Sequence, residues 1–168
     1  DSIDVGDGDN LVIGGAGPDH IIAGIGTNTI LGDEGRVMFD ALGNIVLAES
    51  TNSLIGSKDI FSLGSGIYRV IAGAGDEKIE LGTGQNFVIG DAGRIRVHSD
   101  STTIIESFDA EVVGNDTVIV SEGLNVVVGG SGTDSITVLA FNDQDPQAFV
   151  IGDNGKITLQ TSSADLLS

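Results

Sequence analysis

The side chains best placed for chemistry in this sequence are acids that close glycine-rich runs. GGAGPD (14–19) and GGSGTD (129–134) each set a carboxylate five residues after the first of three glycines. Carboxylates and the carbonyls of a glycine turn are hard oxygen donors, and gathered together they attract a hard cation. The whole chain leans the same way. Its 168 residues hold 7 basic and 25 acidic side chains, a net charge of -18. That balance rules out the clustered Lys and Arg of a nucleic-acid surface and disfavours docking on anionic membranes. No run approaches the apolar length of a membrane span, so no membrane insertion is expected. Cysteine is absent, which removes disulfides, thiolate metal sites and thiol catalysis. The chain is nevertheless no disordered acidic tail, because 40% of it is hydrophobic and the mean hydropathy is +0.22.

The acids recur in a frame of nine residues. VGDGDNLVI (5–13), GGAGPDHII (14–22) and AGIGTNTIL (23–31) lead into a turn, GDEGR (32–36). LGSGIYRVI (63–71), AGAGDEKIE (72–80) and LGTGQNFVI (81–89) lead into GDAGR (90–94), and VSEGLNVVV (120–128) and GGSGTDSIT (129–137) follow. The eighth position holds Ile3, Val12, Ile21, Ile30, Phe61, Val70, Ile79, Val88, Val118, Val127, Ile136 and Val150, apolar throughout. One turn and one short strand take nine residues, so two units close a coil of 18. Stacked coils place two parallel sheets across a thin core, at a spacing of roughly 4.8 Å. The fold class is therefore all-β: a parallel β-roll or β-solenoid of 18-residue coils, one segment spanning 1–168 in about three super-repeats. Inserts near 36–57, 94–115 and 156–168 alternate like β-hairpins. FNDQDPQ (141–147) reads as a surface loop. The register implies a segment of a longer repeat array.

The ninth position separates the sheets. On one it is Ile13, Leu31, Ile71, Ile89, Val128 and Ile151, an outward apolar stripe. Soluble proteins rarely leave such a stripe bare. The hairpins are expected to fold back over it, with Val37, Phe39, Ile95, Val97, Ile157 and Leu159 as the covering face.

GGAGPDHII and GGSGTDSIT match the frame G-G-x-G-x-D-x-U-x at every defined position, and the chain resembles the repeats-in-toxin (RTX), or hemolysin-type, nonapeptide family along its solenoid portion. The resemblance implies a parallel β-roll with Ca²⁺ in its turns, held by glycine-turn carbonyls and by Asp carboxylates of successive coils. The sixth position decides where that role carries over. One edge of the roll has Asp1, Asp19, Asp59, Glu77, Asp116 and Asp134; the other has Asn10, Asn28, Tyr68, Asn86, Asn125 and Ala148. Asp and Asn serve a turn alike, but only Asp carries charge, so the calcium ligands implied are those of the acidic edge. Asp33, Asp91 and Asp153, second in the GDxG turns, lie on the same edge, where ligation and turn capping both fit. Glu49 and Glu106 end their hairpins near that edge and are placed to close a site. The opposite edge reads as an Asn ladder.

Signals for catalysis are weak. His20 and His98 have no partner spacing and read as surface residues. Each GxG string belongs to the nonapeptide rather than to the start of a helix. The acids are periodic, as architecture requires and catalysis does not. The expectation is a non-enzymatic, calcium-binding structural repeat of a large secreted bacterial protein, of stalk, adhesin or surface-layer type. Family resemblance implies type 1 export from a Gram-negative cell, with calcium ions, neighbouring repeats and other copies as partners. A calcium-binding accessory module of a polysaccharide-modifying enzyme is the alternative.

Overall fold

The structure is a computed structural model that describes residues 1–52, 56–108, 114–140 and 147–160. Its strands form three sheets. The first is parallel, in the order β1 (Ser2–Asp4), β3 (His20–Ala23), β7 (Ile60–Leu63), β9 (Lys78–Leu81), β13 (Thr117–Val120) and β15 (Ser135–Val138). The second, also parallel, stacks β2 (Leu11–Ile13), β4 (Gly26–Leu31), β8 (Gly66–Ile71), β10 (Gly84–Ile89), β14 (Gly123–Val128) and β16 (Gln147–Ile151). Registers follow the nonapeptide: Ile21 pairs with Phe61, Phe61 with Ile79, Ile79 with Val118, and Val118 with Ile136. Alternation along each strand turns the eighth position inward. Ile21, Ile30, Phe61, Val70, Ile79, Val88, Val118 and Val127 are all fully buried between the two sheets. The row weakens only in the outer coils, where Val150 is 46% exposed.

Glycine is required where coils cross from the first sheet to the second. Gly26, Gly66, Gly84 and Gly123 have φ from 119° to 154°, and a Cβ on any of them would sit about 2 Å from the glycine carbonyl of the preceding coil. No side chain fits that contact. The glycine column is therefore what lets successive turns stack at strand spacing.

The inserts build the third sheet. β5 (Gly35–Phe39) pairs antiparallel with β6 (Ile45–Ser50), and β11 (Gly93–Val97) with β12 (Thr102–Ser107). β6 joins β11, and β12 joins β17 (Lys156–Gln160), so separate inserts fuse into one sheet, β17-β12-β11-β6-β5. This layer covers the second sheet, and Leu31, Ile71, Ile89 and Val128 are each no more than 1% exposed beneath it. Two expectations fail locally. Ile13, on the outermost strand β2, stays 41% exposed. Phe39 is 51% exposed rather than buried, because a register shift between Met38 and Phe39 re-aims the strand end. Ala48 and Ile105, from the returning strands, supply buried cover in addition to Ile95. The rest of the third insert, 161–168, and most of the 141–147 loop lie outside the described residues.

Candidate metal centre

Each sixth-position acid stands one residue ahead of a first-sheet strand, so parallel pairing stacks these acids at the coil spacing. The stacking is locked by the backbone. The Asp19 N–H donates to Asp59 Oδ1 (2.8 Å), the Glu77 N–H to Asp116 Oδ1 (2.9 Å), and the Asp116 N–H to Asp134 Oδ1 (2.9 Å). One carboxylate oxygen is thus used to position each Asp, and its second oxygen is left over. Asp19 Oδ2, Asp59 Oδ2, Asp116 Oδ2 and Asp134 Oδ2 are all buried without a partner.

Second-position acids add to the same column. Asp33 Oδ2 accepts the Ala74 N–H (2.7 Å), and Asp91 Oδ2 accepts the Ser131 N–H. Their remaining Oδ1 atoms are buried and unpaired. Glu77 breaks the pattern, for both its carboxylate oxygens lack a partner. In all, eight of the eleven buried side-chain N or O atoms without a partner among the described residues are carboxylate oxygens of this edge. Buried polar groups are ordinarily paired, so a concentration of this kind requires an explanation.

The turn splits around each hairpin and so brings a second-position and a sixth-position acid into one coil. Asp91 and Asp116 share a turn in this way, and Glu77 sits in the turn before. One oxygen from each of Glu77, Asp91 and Asp116 lies within 4.8 Å of the others, and all three residues are buried. Asp19, Asp33 and Asp59 hold the equivalent edge positions one super-repeat earlier without converging as closely, and Asp33 feels the charges of the other two. Backbone carbonyls face the same column. The space a Cβ would take on Gly14 lies 2.3 Å from Gly32 O and 2.6 Å from Asp19 Oδ2; on Gly90 it is 2.3 Å from both Gly129 O and Asp116 Oδ2.

The electrostatics are those of crowded anions short of a cation. Burial, followed by the charges of Asp59 and Asp19, raises the pKa of Asp33 to about 7. Burial and the neighbouring Asp116 and Asp134 raise Asp91 to about 7, and burial with Asp19 raises Asp59 to about 6. Glu77 is pushed far up by burial and by Asp116 beside it, and burial also raises Asp116. A proton or a metal ion relieves this crowding equally well in sign. The donor set is entirely oxygen, which suits calcium and excludes soft-metal chemistry.

A family model for the RTX calcium-binding nonapeptide repeat (4 copies) matches residues 4–36, 69–94 and 113–145, more than half of the chain. The chain belongs to this family. Each gap between matches contains a hairpin insert, and the first gap also takes in the solenoid strand β7 and the start of β8. No curated protein and no solved structure matches the chain. RTX repeats bind Ca²⁺, and the buried acidic cluster of this RTX chain fits that ion by the chemistry of its oxygens.

The remaining site expectations divide. Asp1 is exposed at the first coil, with its amino group on Asp19 Oδ1 at 2.7 Å, and Asp153 is exposed at the last. Neither belongs to a buried cluster. Glu49 and Glu106 do not close a site: Glu49 is paired with Arg36 at 2.6 Å and Glu106 with Arg94 at 2.7 Å, on the hairpin sheet. His20 and His98 are exposed. The opposite edge is an amide ladder in two parts. Asn10 Nδ2 donates to Asn28 Oδ1 (2.9 Å) and Asn86 Nδ2 to Asn125 Oδ1 (2.8 Å). Between them the buried Tyr68 hydroxyl donates to the Gly24 carbonyl. Reading the sixth position alone missed the interleaving of Asp33 and Asp91 between acids of adjacent coils. The signal was present in the split turn, where GD before a hairpin and D after it occupy one coil.

Proposed function

We propose that this RTX segment is a calcium-stabilised structural module of a secreted bacterial protein, of stalk, adhesin or surface-layer type. Calcium is held along one edge only. Asp19, Asp33 and Asp59 form one set of ligands, Glu77, Asp91 and Asp116 a second, and Asp134 with Asp153 part of a third. Asp1 extends the acidic column at its first coil. The observation that carries the reading is the row of buried, partnerless carboxylate oxygens at successive coils. Bound calcium supplies positive charge where several carboxylates converge, so that the edge stacks without protonation. Its role is cohesion between coils rather than chemistry on a substrate, and the periodic placement of the acids supports a non-catalytic module.

An ion that binds only the folded chain adds about 4 kcal/mol per site when it stands a thousandfold above its dissociation constant. Thermal melts with millimolar calcium are therefore expected to lie well above melts in EDTA. Equilibrium dialysis should find at least two ions per chain. Coincident melts with and without chelator would overturn the reading.

A further inference from the structure

The seventh position of the second sheet runs Leu11, Thr29, Arg69, Phe87, Val126 and Phe149 in successive coils. Phe87 and Val126 of this row are buried under the hairpin sheet, so Arg69 is a lone cation on a face that packs against apolar cover. Its guanidinium Nε is buried and has no hydrogen-bond partner among the described residues. In the hairpin layer Arg36 lies on Glu49 and Arg94 on Glu106. Arg69 has no ion pair among the described residues. Burial alone pulls its pKa below the ordinary arginine value. The side chain is half-buried, so its charge is only partly solvated and no counter-ion offsets that loss.

Two clefts between the second sheet and the hairpins share Arg69 and Val97. The first, about 450 Å³, includes the carboxylate Asp9 in its lining, beside Thr27 and Phe39. The second, about 440 Å³, has no acid in its lining. Ile67, Phe87 and Leu124 give it an apolar floor, and Gln85 and Thr103 add polar groups beside Arg69. Its size falls within the range of small-molecule sites, roughly 300–1,000 Å³. An uncompensated guanidinium over an apolar floor is complementary to one kind of ligand.

We propose that the second cleft binds a small organic anion with an apolar body, a monocarboxylate whose head pairs with Arg69 and whose aliphatic or aromatic tail lies on Phe87 and Ile67. The planar guanidinium matches a carboxylate through two parallel hydrogen bonds. At ordinary ionic strength the net charge of -18 is screened beyond about 10 Å, so only nearby acids oppose an anion, and none lines this cleft. The site is separate from the acidic edge, since it lies on the other face of the second sheet.

The test uses anilinonaphthalene sulfonate, an anion with an apolar body, titrated into calcium-loaded protein that melts cooperatively. The expected result is saturable binding at one site per chain, displaced by decanoate and not by decanol at equal concentration. Arg69→Met should weaken binding at least tenfold and leave the melt unchanged or raised, because it removes a half-buried charge that has no counter-ion. Thr103→Trp, which fills the cleft and keeps Arg69, should also abolish binding. Displacement by decanol as effective as by decanoate would overturn the proposal. So would unchanged probe affinity in either variant, or no saturable binding to the parent chain.

Discussion

The acidic edge is unstable on its own, and its titration sets the pH response of the metal-free protein. Asp33 and Asp91 titrate near 7 in the folded chain and Asp59 near 6, against about 3.8 when unfolded. A raised acid pKa means that the folded state holds protons the unfolded state has released. Stability from these groups is fully present below about pH 4 and is lost as pH rises through 6 and 7. The lowered pKa values of Asp40, Asp76, Asp100 and Glu106 act oppositely, but at lower pH. Asp40, Asp76 and Asp100 are exposed and screened, and only Glu106 is half-buried, against Arg94. The unfolding free energy from urea titrations in EDTA should therefore fall from pH 5 to pH 8, by an amount on the order of a few kcal/mol. Millimolar calcium should remove most of that slope, since the ion takes the protons' place. A flat profile in EDTA would contradict the crowding of these carboxylates. Glu77→Gln isolates one member. It keeps the shape and removes the cost of taking up a proton at that buried site, so it should raise the melting temperature in EDTA at pH 8 and reduce the rise produced by calcium. At this scale the segregation of acids to one edge was legible, because position six alternates without exception. The unpaired state of Glu77 was not, since Asp and Glu read alike in a pattern. Arg69 was equally hidden: on strand alternation it points outward, and only the hairpin layer turns outward into half-buried.

At the scale of elements, the hairpins are structural partners of the roll. Their fusion into one sheet across separate inserts depends on the 58-residue interval between Gly32 and Gly90, which returns each insert to the same side of the roll. The apolar ninth position announced that something must cover the second sheet. The bulge at Met38 and Phe39, and the buried contributions of Ala48 and Ile105, depend on pairing between inserts that a linear pattern does not encode. Ile95→Ala should cost about 2–5 kcal/mol, as deletion of a fully buried aliphatic side chain does. Phe39→Ala, at a half-exposed end, should cost well under half of that. Urea denaturation of the two variants in calcium decides the point, and equal losses would mean that the cover extends further than β5 and β6 indicate.

As a whole, the molecule is a stack in which each coil touches only its neighbours. Stability in such stacks is a sum of local and nearest-neighbour contributions. The end coils have one neighbour instead of two, and their core residues are less buried: Val12 is 5% exposed and Val150 46%, while Val70 and Val88 are fully enclosed. Amide hydrogen exchange should be slowest in β8 and β10 and fastest in β2 and β16, with calcium slowing the central first-sheet strands β7, β9 and β13 most. Uniform protection from end to end would show that the segment unfolds as one unit.

The two edges of the stack differ in what holds them. One is fastened by amide hydrogen bonds, a tyrosine and a column of glycines, none of which responds to ionic conditions. The other is a clasp that closes only when its charge is neutralised. Withdrawing calcium therefore does not loosen the rod evenly. Loosening is expected first at the acidic edge, where the carboxylates repel one another, while the amide edge keeps its spacing.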